Sequence, residues 1–343
     1  MFRRQARSPS PSRMSRVAVT GPGVRQRARK RRPFVLSAPS VLAAAGPVLA
    51  AALALAALGL SAAPASAAAS YPVAPDIAAA AVLAARDPAQ APPGANVPGC
   101  HSSAHPYPVV LVNGTFANAE DDFGALAPTL ANAGYCVYTF AYGAPSSQFV
   151  QSIGAVPQSA QTLASFVQYV LAATGAPKAD LVGHSQGGML AEYYAKLLGG
   201  APYIHDLVGL SPTTHGTTLD GLTTLAGYFP DANQFTGALC PACTDQEAGS
   251  PVIRALDNGP IAQPGVSYTI IETRNETVVT PVGSSFISEP GVTNEYVQSF
   301  CPLDTVDHVN LPYDQVVFQL VLNALDPATA RAPDCLHAFP YPA

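Results

Sequence analysis

Beyond residue 105, short runs of β-branched and other apolar residues alternate with longer stretches in which apolar residues recur at helical spacing. This alternation predicts an α/β fold, a mostly parallel sheet with helices on both faces. The predicted strands span residues 109–112, 136–142, 179–183, 205–210, 266–271 and 294–300, and the predicted helices span residues 122–133, 158–173, 189–198 and 313–325.

The first 67 residues differ from the rest in charge. They contain eleven of the 17 Lys and Arg residues and none of the 22 Asp and Glu residues. An apolar segment, 41–60, leads to Ala65-Ser66-Ala67, which has the pattern of a cleavage site, so we predict that residues 1–67 form a secretory signal peptide. Two alternatives remain: segment 41–60 is long enough for an uncleaved membrane anchor, and Met14 could be the true start. Arg31-Arg32 also has a weak similarity to a twin-arginine signal.

The remainder of the chain is acidic. Residues 68–343 contain six basic residues and all 22 acidic ones. Such a surface repels nucleic acid, so we expect no nucleic-acid partner. Residues 68–98 are rich in Ala and Pro and show no core pattern, which predicts an N-terminal extension. Residues 99–343 are predicted to form one domain.

Six cysteines follow the predicted signal peptide, at positions 100, 136, 240, 243, 301 and 335. An even number in an exported chain predicts three disulfides rather than a metal site. Cys240-Pro-Ala-Cys243 has the spacing of a zinc knuckle or a redox dithiol, but a knuckle needs a second ligand pair and none is close in sequence. We therefore expect a local bridge and no metal. Spacing alone does not choose among the possible pairings.

The segment Gly183-His184-Ser185-Gln186-Gly187 matches the G-x-S-x-G motif. The motif places a nucleophilic serine on a tight strand-to-helix turn, where larger flanking residues would clash. Here a predicted strand precedes it and a predicted helix follows it. This context favours a nucleophile elbow carrying Ser185 over a plain glycine-rich turn.

A serine nucleophile needs a histidine base and an orienting carboxylate, which follow the serine in the order acid, histidine in this type of fold. Four histidines come after Ser185: His205, His215, His308 and His337. His308 lies in a late loop before the last predicted helix, where the fold presents its base, so we predict that His308 is the base. His215 is the alternative, although a place near the pocket rim suits it better.

The acid is expected in the loop that follows the predicted strand 266–271. Glu276 lies in that loop, whereas Glu272 still belongs to the strand and Asp257 precedes it. We therefore predict that Glu276 is the acid. The oxyanion hole needs two backbone N–H donors, and we assign them to Gln186, the residue after the nucleophile, and Thr115, in the loop after the first strand.

Four segments together resemble the secreted actinobacterial triacylglycerol lipases of the class 2 type. They are Val109 to Asn118, the His-Ser-Gln-Gly-Gly elbow, the loop Arg274 to Pro281 and Cys301-Pro-Leu-Asp-Thr-Val-Asp-His308. The resemblance covers roughly residues 100–327. It implies an α/β-hydrolase catalytic domain without a cofactor. It also implies the disulfides Cys100–Cys136, Cys240–Cys243 and Cys301–Cys335. The chain departs from the family in two places: Asn113 stands where histidine is usual, and Glu276 stands where aspartate is usual.

We therefore expect an exported serine carboxylester hydrolase that acts on acylglycerols, with a lipid–water interface as a possible place of action. The alternatives are a short-chain esterase, a cell-envelope acyltransferase with the same triad, and a catalytically inactive binding protein. The sequence does not separate hydrolase from transferase, and it does not indicate an oligomeric state.

Residues 211–265 interrupt the β/α alternation between the nucleophile and the acid. Loops at the carboxyl ends of parallel strands surround the active site, so we predict a small cap-like insertion. The insertion contains apolar residues at roughly helical spacing, for which we consider two alternatives: they face an acyl chain, or they pack on the sheet. They are Leu219, Leu222, Leu225, Tyr228 and Phe229.

Overall fold

The computed structural model describes residues 70–229 and 239–337; the predicted signal peptide, residues 1–67, lies outside them. The described strands are β1 (Val109–Val112), β2 (Val137–Thr139), β3 (Ala179–His184), β4 (Ile204–Leu210), β5 (Ser267–Glu272) and β6 (Val292–Tyr296). They form one six-stranded sheet in the order β2-β1-β3-β4-β5-β6. Every neighbouring pair of these strands is parallel. The predicted parallel α/β sheet is therefore confirmed.

Helices cover both faces of this sheet. The described α-helices are α1 (Ile77–Arg86), α2 (Ala119–Phe123), α3 (Leu126–Asn132), α4 (Val156–Thr174), α5 (Gln186–Leu197), α6 (Leu219–Tyr228), α7 (Pro241–Asp245), α8 (Pro251–Leu256), α9 (Val297–Phe300) and α10 (Gln315–Leu325). Short 3-10 helices span Ala201–Tyr203, Leu311–Tyr313, Pro327–Thr329 and Cys335–His337. Buried residues of α4 and α5 pack on one face, and those of α3 and α10 pack on the other.

The strand β1 shows why the apolar runs in the sequence are continuous. Its four residues are all buried. Val110 and Val112 join the apolar cluster on one face, whereas Val109 and Leu111 join the cluster on the other. Successive side chains of a strand point to opposite faces, so a strand covered on both sides has no polar positions.

Three predicted elements differ from the structure in number or extent, whereas the other predicted boundaries lie within three residues of the observed ones. The predicted helix 122–133 is two helices, α2 and α3, with Gly124 between them. The predicted strand 136–142 pairs only over β2, an edge strand with one neighbour. The predicted strand 294–300 ends at Tyr296 and continues as the short helix α9.

The expectation that segment 68–98 lacks a core pattern is wrong for α1. Asp76 caps this helix by accepting a hydrogen bond from the Ala79 amide at 2.8 Å. Ala80 and Ala84 are fully buried. A Cβ on Gly124 would lie 2.8 Å from the Cβ of Ala80, so α1 approaches α2 closely through small residues. Alanine gives little hydrophobic contrast, which is why the sequence pattern misses this contact.

The six cysteines form three disulfides, Cys100–Cys136, Cys240–Cys243 and Cys301–Cys335, so no cysteine is free. This is the pairing that the resemblance implies. The third bridge joins the start of the loop that leads to His308 with the C-terminal segment. Among residues 70–229 and 239–337, no helix is long and apolar enough to cross a membrane.

Candidate active site

Ser185 lies on a sharp turn between β3 and α5, at the carboxyl end of a central strand. Its backbone has φ 54° and ψ −124°, a conformation that L-residues rarely adopt and that is typical of strained functional turns. A Cβ on Gly187 would lie 1.8 Å from the carbonyl oxygen of Val112, and one on Gly183 would lie 2.4 Å from the Gly188 nitrogen. The two motif glycines are therefore required by close backbone contacts, as the elbow predicts.

Glu276 and His308, predicted from separate loops, are brought together. The Nδ1 atom of His308 lies 2.8 Å from Oε2 of Glu276, and both side chains are almost completely buried. The other carboxylate oxygen, Oε1, accepts hydrogen bonds from the backbone N–H groups of Val278 and Val279, at 2.7 and 3.0 Å. Glu276 is therefore fixed at both oxygens, and it fixes the orientation of the His308 ring.

The surroundings of Glu276 keep its carboxylate ionised. Burial alone would raise its pKa, but attraction to the His308 ring in its protonated form and the hydrogen bonds from His308, Val278 and Val279 outweigh burial. The net effect is a pKa below the ordinary value. An ionised carboxylate at Nδ1 holds the proton on that nitrogen, so the other ring nitrogen, Nε2, is left as a proton acceptor.

Two reactive atoms of the predicted triad are buried without a hydrogen-bond partner among the described residues. They are Oγ of Ser185 and Nε2 of His308. The ring of His308 packs against that of His184, the residue before Ser185, with the ring centroids 4.9 Å apart. Buried polar atoms are nearly always bonded, so an unbonded hydroxyl and an unbonded base beside the same turn indicate a functional site.

The two predicted oxyanion residues, Thr115 and Gln186, contact each other. Oγ1 of Thr115 donates a hydrogen bond to Oε1 of Gln186 at 2.6 Å. Their backbone N–H groups donate to no acceptor in the described part of the chain. Gln186 is the first residue of α5, and such a residue has no partner within its helix. Two backbone donors therefore remain available next to Ser185, as an oxyanion hole requires.

Asn113 secures the loop that carries Thr115, although the family usually has histidine at this position. Its Nδ2 atom donates to the carbonyl of Ala117 at 2.6 Å and to Oγ of Ser152 at 2.7 Å. The hydroxyl of Tyr142 donates to the Asn113 carbonyl. The asparagine thus fills its buried position with satisfied hydrogen bonds, and the departure leaves the loop well supported.

The alternative base and the alternative acid pair with each other instead of with the triad. Nδ1 of His215 lies 2.5 Å from Oδ1 of Asp257, and the other ring nitrogen of His215 lies 3.2 Å from the Phe286 carbonyl. Glu272 accepts a hydrogen bond from the Gly283 amide. In the described region, none of these side chains forms a hydrogen bond or an ion pair with Ser185 or His308.

His205 belongs to a different cluster, at the amino end of the sheet. Its Nδ1 atom lies 3.0 Å from Asp180 and 2.9 Å from Asp206. These three residues place ligand atoms within 4.8 Å of one another, a spacing that could hold a metal ion. They lie at the starts of β3 and β4, whereas Ser185 follows the end of β3, so this cluster is not part of the candidate active site.

Sequence reasoning missed a second buried histidine–carboxylate pair beneath the elbow. Nδ1 of His184 lies 2.8 Å from Oδ1 of Asp122, and Nε2 of His184 lies 3.0 Å from the backbone carbonyl of His308. The other Asp122 oxygen accepts a hydrogen bond from the Gly114 amide at 2.7 Å. This pair therefore joins the elbow, the loop after β1 and the loop of the predicted base. Its only signal in the sequence is that His184 lies inside the G-x-S-x-G motif.

The insertion brings apolar side chains to the candidate site. Leu225 and Phe229 of the α6 region are buried in a cluster, here called the loop cluster, which includes residues next to Thr115 and His308. The rings of Phe116 and Phe229 have centroids 6.2 Å apart. The loop cluster comprises Phe116, Ala117, Val150, Ile153, Leu225, Ala226, Phe229, Cys240, Ala242, Val278, Val279 and Val309.

The other predicted residues of the insertion have different environments. Leu222 is buried, whereas the side chain of Tyr228 is 45% exposed. The side chain of Leu219 lies outside the described residues. Leu225 and Phe229 belong to the loop cluster, which includes residues from the loops of the candidate site. Neither residue belongs to the two apolar clusters on the faces of the sheet.

Comparisons with known proteins agree with this architecture. The family model described as Lipase (class 2) matches residues 106–321. Triacylglycerol lipases from Pseudarthrobacter phenanthrenivorans and Burkholderia plantarii are each 42% identical over 94 residues, 26% of this chain and 28% and 25% of theirs. The chain thus matches about a quarter of the length of these curated relatives.

The similarity to solved structures concerns the fold. The crystal structure of Aspergillus fumigatus lipase B superposes with a TM-score of 0.52 and 21% sequence identity, covering 68% of this chain and 55% of that one. The parallel sheet with a serine elbow at its carboxyl edge has the α/β-hydrolase fold. Since the family model spans more than half of the chain, the chain belongs to the class 2 lipase family.

Proposed function

We propose that this protein is a secreted triacylglycerol lipase, a serine carboxylester hydrolase that uses Ser185, His308 and Glu276. The observation that carries the proposal is the state of His308. Its Nδ1 atom is held by Glu276 at 2.8 Å, while its buried Nε2 atom has no partner among the described residues and its ring lies beside the elbow. A serine hydroxyl is a weak nucleophile at neutral pH, and it needs such a base.

The proposed reaction has two half-reactions. Oγ of Ser185 attacks the ester carbonyl as Nε2 of His308 accepts the hydroxyl proton, and the backbone N–H groups of Thr115 and Gln186 bind the oxyanion. His308 then returns the proton to the departing alcohol, which leaves an acyl-enzyme. Water, deprotonated by His308, attacks the acyl carbonyl. The tetrahedral intermediate then breaks its bond to Oγ of Ser185 and releases the fatty acid, while His308 returns the proton to Oγ. Glu276 remains ionised and stabilises the imidazolium that forms in each half-reaction.

The loop cluster supports an apolar acyl group as the substrate. It joins Phe116, beside Thr115, with Val309, beside His308, and with Leu225 and Phe229 from the insertion. Apolar side chains near the reacting carbonyl favour binding of a hydrocarbon chain, because each buried methylene group contributes about 0.8 kcal/mol. The triacylglycerol lipases that share 42% identity over part of the chain point to the same substrate class.

Export is supported by the sequence and by the cysteines. The basic N-terminal segment, the apolar segment 41–60 and the small residues before position 68 have the order of a secretory signal peptide. Three disulfides are typical of proteins that fold in an oxidising compartment. N-terminal sequencing of the protein recovered from the culture medium should begin just after Ala67, and a mature protein that retains segment 41–60 would contradict a cleaved signal.

Hydrolysis of a graded series of esters tests the activity. Purified protein should release fatty acid from triacylglycerols with medium or long acyl chains, and adding an acceptor alcohol should leave hydrolysis as the main reaction. Activity confined to acetyl esters would replace the proposal with a short-chain esterase. Dominant transfer of the acyl group to the alcohol would replace it with an acyltransferase.

The insertion offers a test of the acyl site. The double variant Leu222→Asp and Leu225→Asp places charge on the buried side of α6, so we expect the preference to shift toward acetate and butyrate esters. Thr224→Asp, on the exposed side of the same helix, is the matched control and should leave the preference unchanged. An unchanged preference in a folded double variant would mean that α6 does not border the acyl chain.

A further inference from the structure

The side chains of the two predicted oxyanion residues share a third buried partner from the insertion. Gln246 follows α7 and is completely buried. Its Nε2 atom lies 2.8 Å from Oγ1 of Thr115 and 3.0 Å from Oε1 of Gln186. Since Thr115 also donates to Gln186 at 2.6 Å, the polar atoms of the three side chains form a closed triangle of contacts, in which Thr115 and Gln186 share the hydrogens of the Gln246 NH₂ group.

The orientation of the Gln246 amide follows from its other contacts. Its Nε2 atom also lies 3.1 Å from the carbonyl oxygen of Ala242, which can only accept a hydrogen bond. Its Oε1 atom accepts a hydrogen bond from the hydroxyl of Thr213 at 3.0 Å. Turning the amide round would bring two carbonyl oxygens together at Ala242, so the NH₂ group must face Thr115 and Gln186.

This fixed amide determines the orientation of Gln186 in turn. Because the Gln246 NH₂ group donates, Oε1 of Gln186 must face it, and Nε2 of Gln186 is left without a hydrogen-bond partner among the described residues. The hydroxyl hydrogen of Thr115 is likewise directed toward Gln186. Both side chains are therefore held in one arrangement by a residue that is distant in sequence.

The segment that carries Gln246 is itself firmly attached. The Gln246 carbonyl accepts a hydrogen bond from the Thr217 amide at 2.9 Å, and its own amide donates to Ala242 at 3.1 Å. The Ala242 amide donates to the carbonyl of Ile153 at 3.1 Å, and the Cys240–Cys243 disulfide closes the first turn of α7. The insertion thus reaches the oxyanion hole through a rigid element.

We propose that Gln246 is a positioning residue of the oxyanion hole, which binds the side chains of Thr115 and Gln186 so that their backbone N–H groups converge on the substrate oxyanion. This inference rests on the proposed esterase function. Gln246 does not touch the substrate; it acts through the two residues that do. Preorganised donors stabilise the transition state because they need no rearrangement during the reaction, so loosening them lowers kcat more than it weakens substrate binding.

The variant Gln246→Met tests the proposal, because methionine fills a similar volume and removes the donor. We expect kcat per titrated active site to fall about 10- to 100-fold, less than loss of a direct donor, while KM changes little. The Ki of a trifluoromethyl ketone, which forms an oxyanion with the serine, should rise in parallel with the loss of kcat/KM. Thr244→Ala, on the exposed side of α7, is the matched control and should leave kcat and Ki unchanged.

The outcomes separate this inference from the proposed function. Wild-type kcat and Ki in Gln246→Met would overturn the positioning role while leaving the esterase function intact. An ether analogue of the substrate binds the site but forms no oxyanion. An equal rise in KM and in the Ki of this analogue, with kcat unchanged, would also overturn the positioning role, because such a result would indicate a binding or packing role for Gln246. A wild-type protein without esterase activity would instead reject the proposed function.

A second variant keeps the test valid if Gln246→Met does not fold. Thr213→Val replaces the hydroxyl that donates to Oε1 of Gln246 with a methyl group of similar size. We expect a loss in the same direction but smaller, about 3- to 10-fold in kcat, with a parallel rise in the Ki of the trifluoromethyl ketone. Restoration of kcat by Thr213→Ser, which returns the hydroxyl, is the expected rescue, and failure to rescue would contradict the proposal.

Discussion

Two buried histidine–carboxylate pairs lie side by side in this protein, and the distance from Nδ1 to the carboxylate oxygen is the same in both. His308 and Glu276 are 2.8 Å apart between Nδ1 and Oε2, and His184 and Asp122 are 2.8 Å apart between Nδ1 and Oδ1. All four side chains are nearly inaccessible to solvent. Each carboxylate also accepts at least one backbone N–H group.

The difference lies in the second nitrogen of each ring. Nε2 of His184 lies 3.0 Å from the carbonyl oxygen of His308, whereas Nε2 of His308 has no partner among the described residues. A carbonyl can only accept, so Nε2 of His184 must carry a hydrogen and cannot take a proton from a serine. The comparison shows that a histidine–carboxylate pair becomes a candidate base only when its second nitrogen is free.

Removing the nucleophile or the base should have the largest effect. Ser185→Ala and His308→Ala are each expected to lower kcat by about 10⁶-fold, because the triad acts as a unit. Steady-state ester hydrolysis measures the loss. The thermal midpoint of Ser185→Ala should remain close to that of the wild type, whereas that of His308→Ala should fall because the buried Glu276 carboxylate loses its partner. Substantial activity in either variant would reject the triad assignment.

Removing the acid should have the next largest effect. Glu276→Ala is expected to lower kcat by about 10³- to 10⁴-fold, since the acid orients His308 without exchanging a proton with the substrate. Asp257→Ala, which removes the partner of His215, is the matched control and should retain most of the activity. A more damaging effect of Asp257→Ala would mean that the acid has been misassigned.

The second pair should matter mainly for stability. His184→Ala leaves the Asp122 carboxylate and the His308 carbonyl without their partner, so we expect a loss of about 3 to 5 kcal/mol in the free energy of unfolding. Among molecules that remain folded, kcat should fall by no more than about 100-fold, because Nε2 of His308 is still free. Denaturant unfolding and active-site titration separate the two effects. A variant with wild-type stability and activity as low as that of His308→Ala would place His184 in the chemistry.

The two pairs should respond at opposite ends of the pH range. Burial lowers the pKa of His184, but the Asp122 charge and the hydrogen bonds outweigh it and raise the pKa above 6.5. Its contribution to stability is therefore complete below pH 6.5 and is lost as the pH rises through the folded-state pKa. For Glu276, whose pKa is lowered from 4.5, the contribution is complete above pH 4.5 and is lost as the pH falls through the folded-state value.

Unfolding free energies measured across the pH range check these signs. The difference between wild type and His184→Asn should shrink at alkaline pH, and the difference between wild type and Glu276→Gln should shrink at acidic pH. The opposite trend for either variant would contradict the ionisation assigned to that pair.

Sequence patterns predicted the parts of the candidate site that lie next to regular elements. Ser185 and Gln186 are found from a motif whose glycines are required by backbone contacts below 3 Å. Glu276 and His308 were predicted as acid and base because the fold presents these groups in late loops, and the structure places the two side chains in contact. Short apolar runs also predicted the strands, because the strands of a parallel sheet covered on both faces are continuously apolar.

The parts that sequence patterns missed depend on contacts between distant segments. Asp122 meets His184 across 62 positions, and Gln246 meets Thr115 across 131 positions. No local periodicity marks such a pair, and each residue alone is compatible with an ordinary surface or core position. The helix α1 was missed for another reason, because its buried face is made of alanine.

Covalent labelling of the nucleophile tests the central claim most directly. Trypsin cleavage after Lys178 and Lys196 gives the peptide 179–196, in which Ser185 is the one hydroxyl residue other than tyrosine. After treatment of the purified protein with diethyl p-nitrophenyl phosphate, mass spectrometry should find one diethylphosphate group on this peptide. Folded His184→Ala should carry the same label, and His308→Ala should be labelled at a negligible rate. Labelling of a different peptide, or wild-type labelling of His308→Ala, would contradict the assignment of Ser185 and His308.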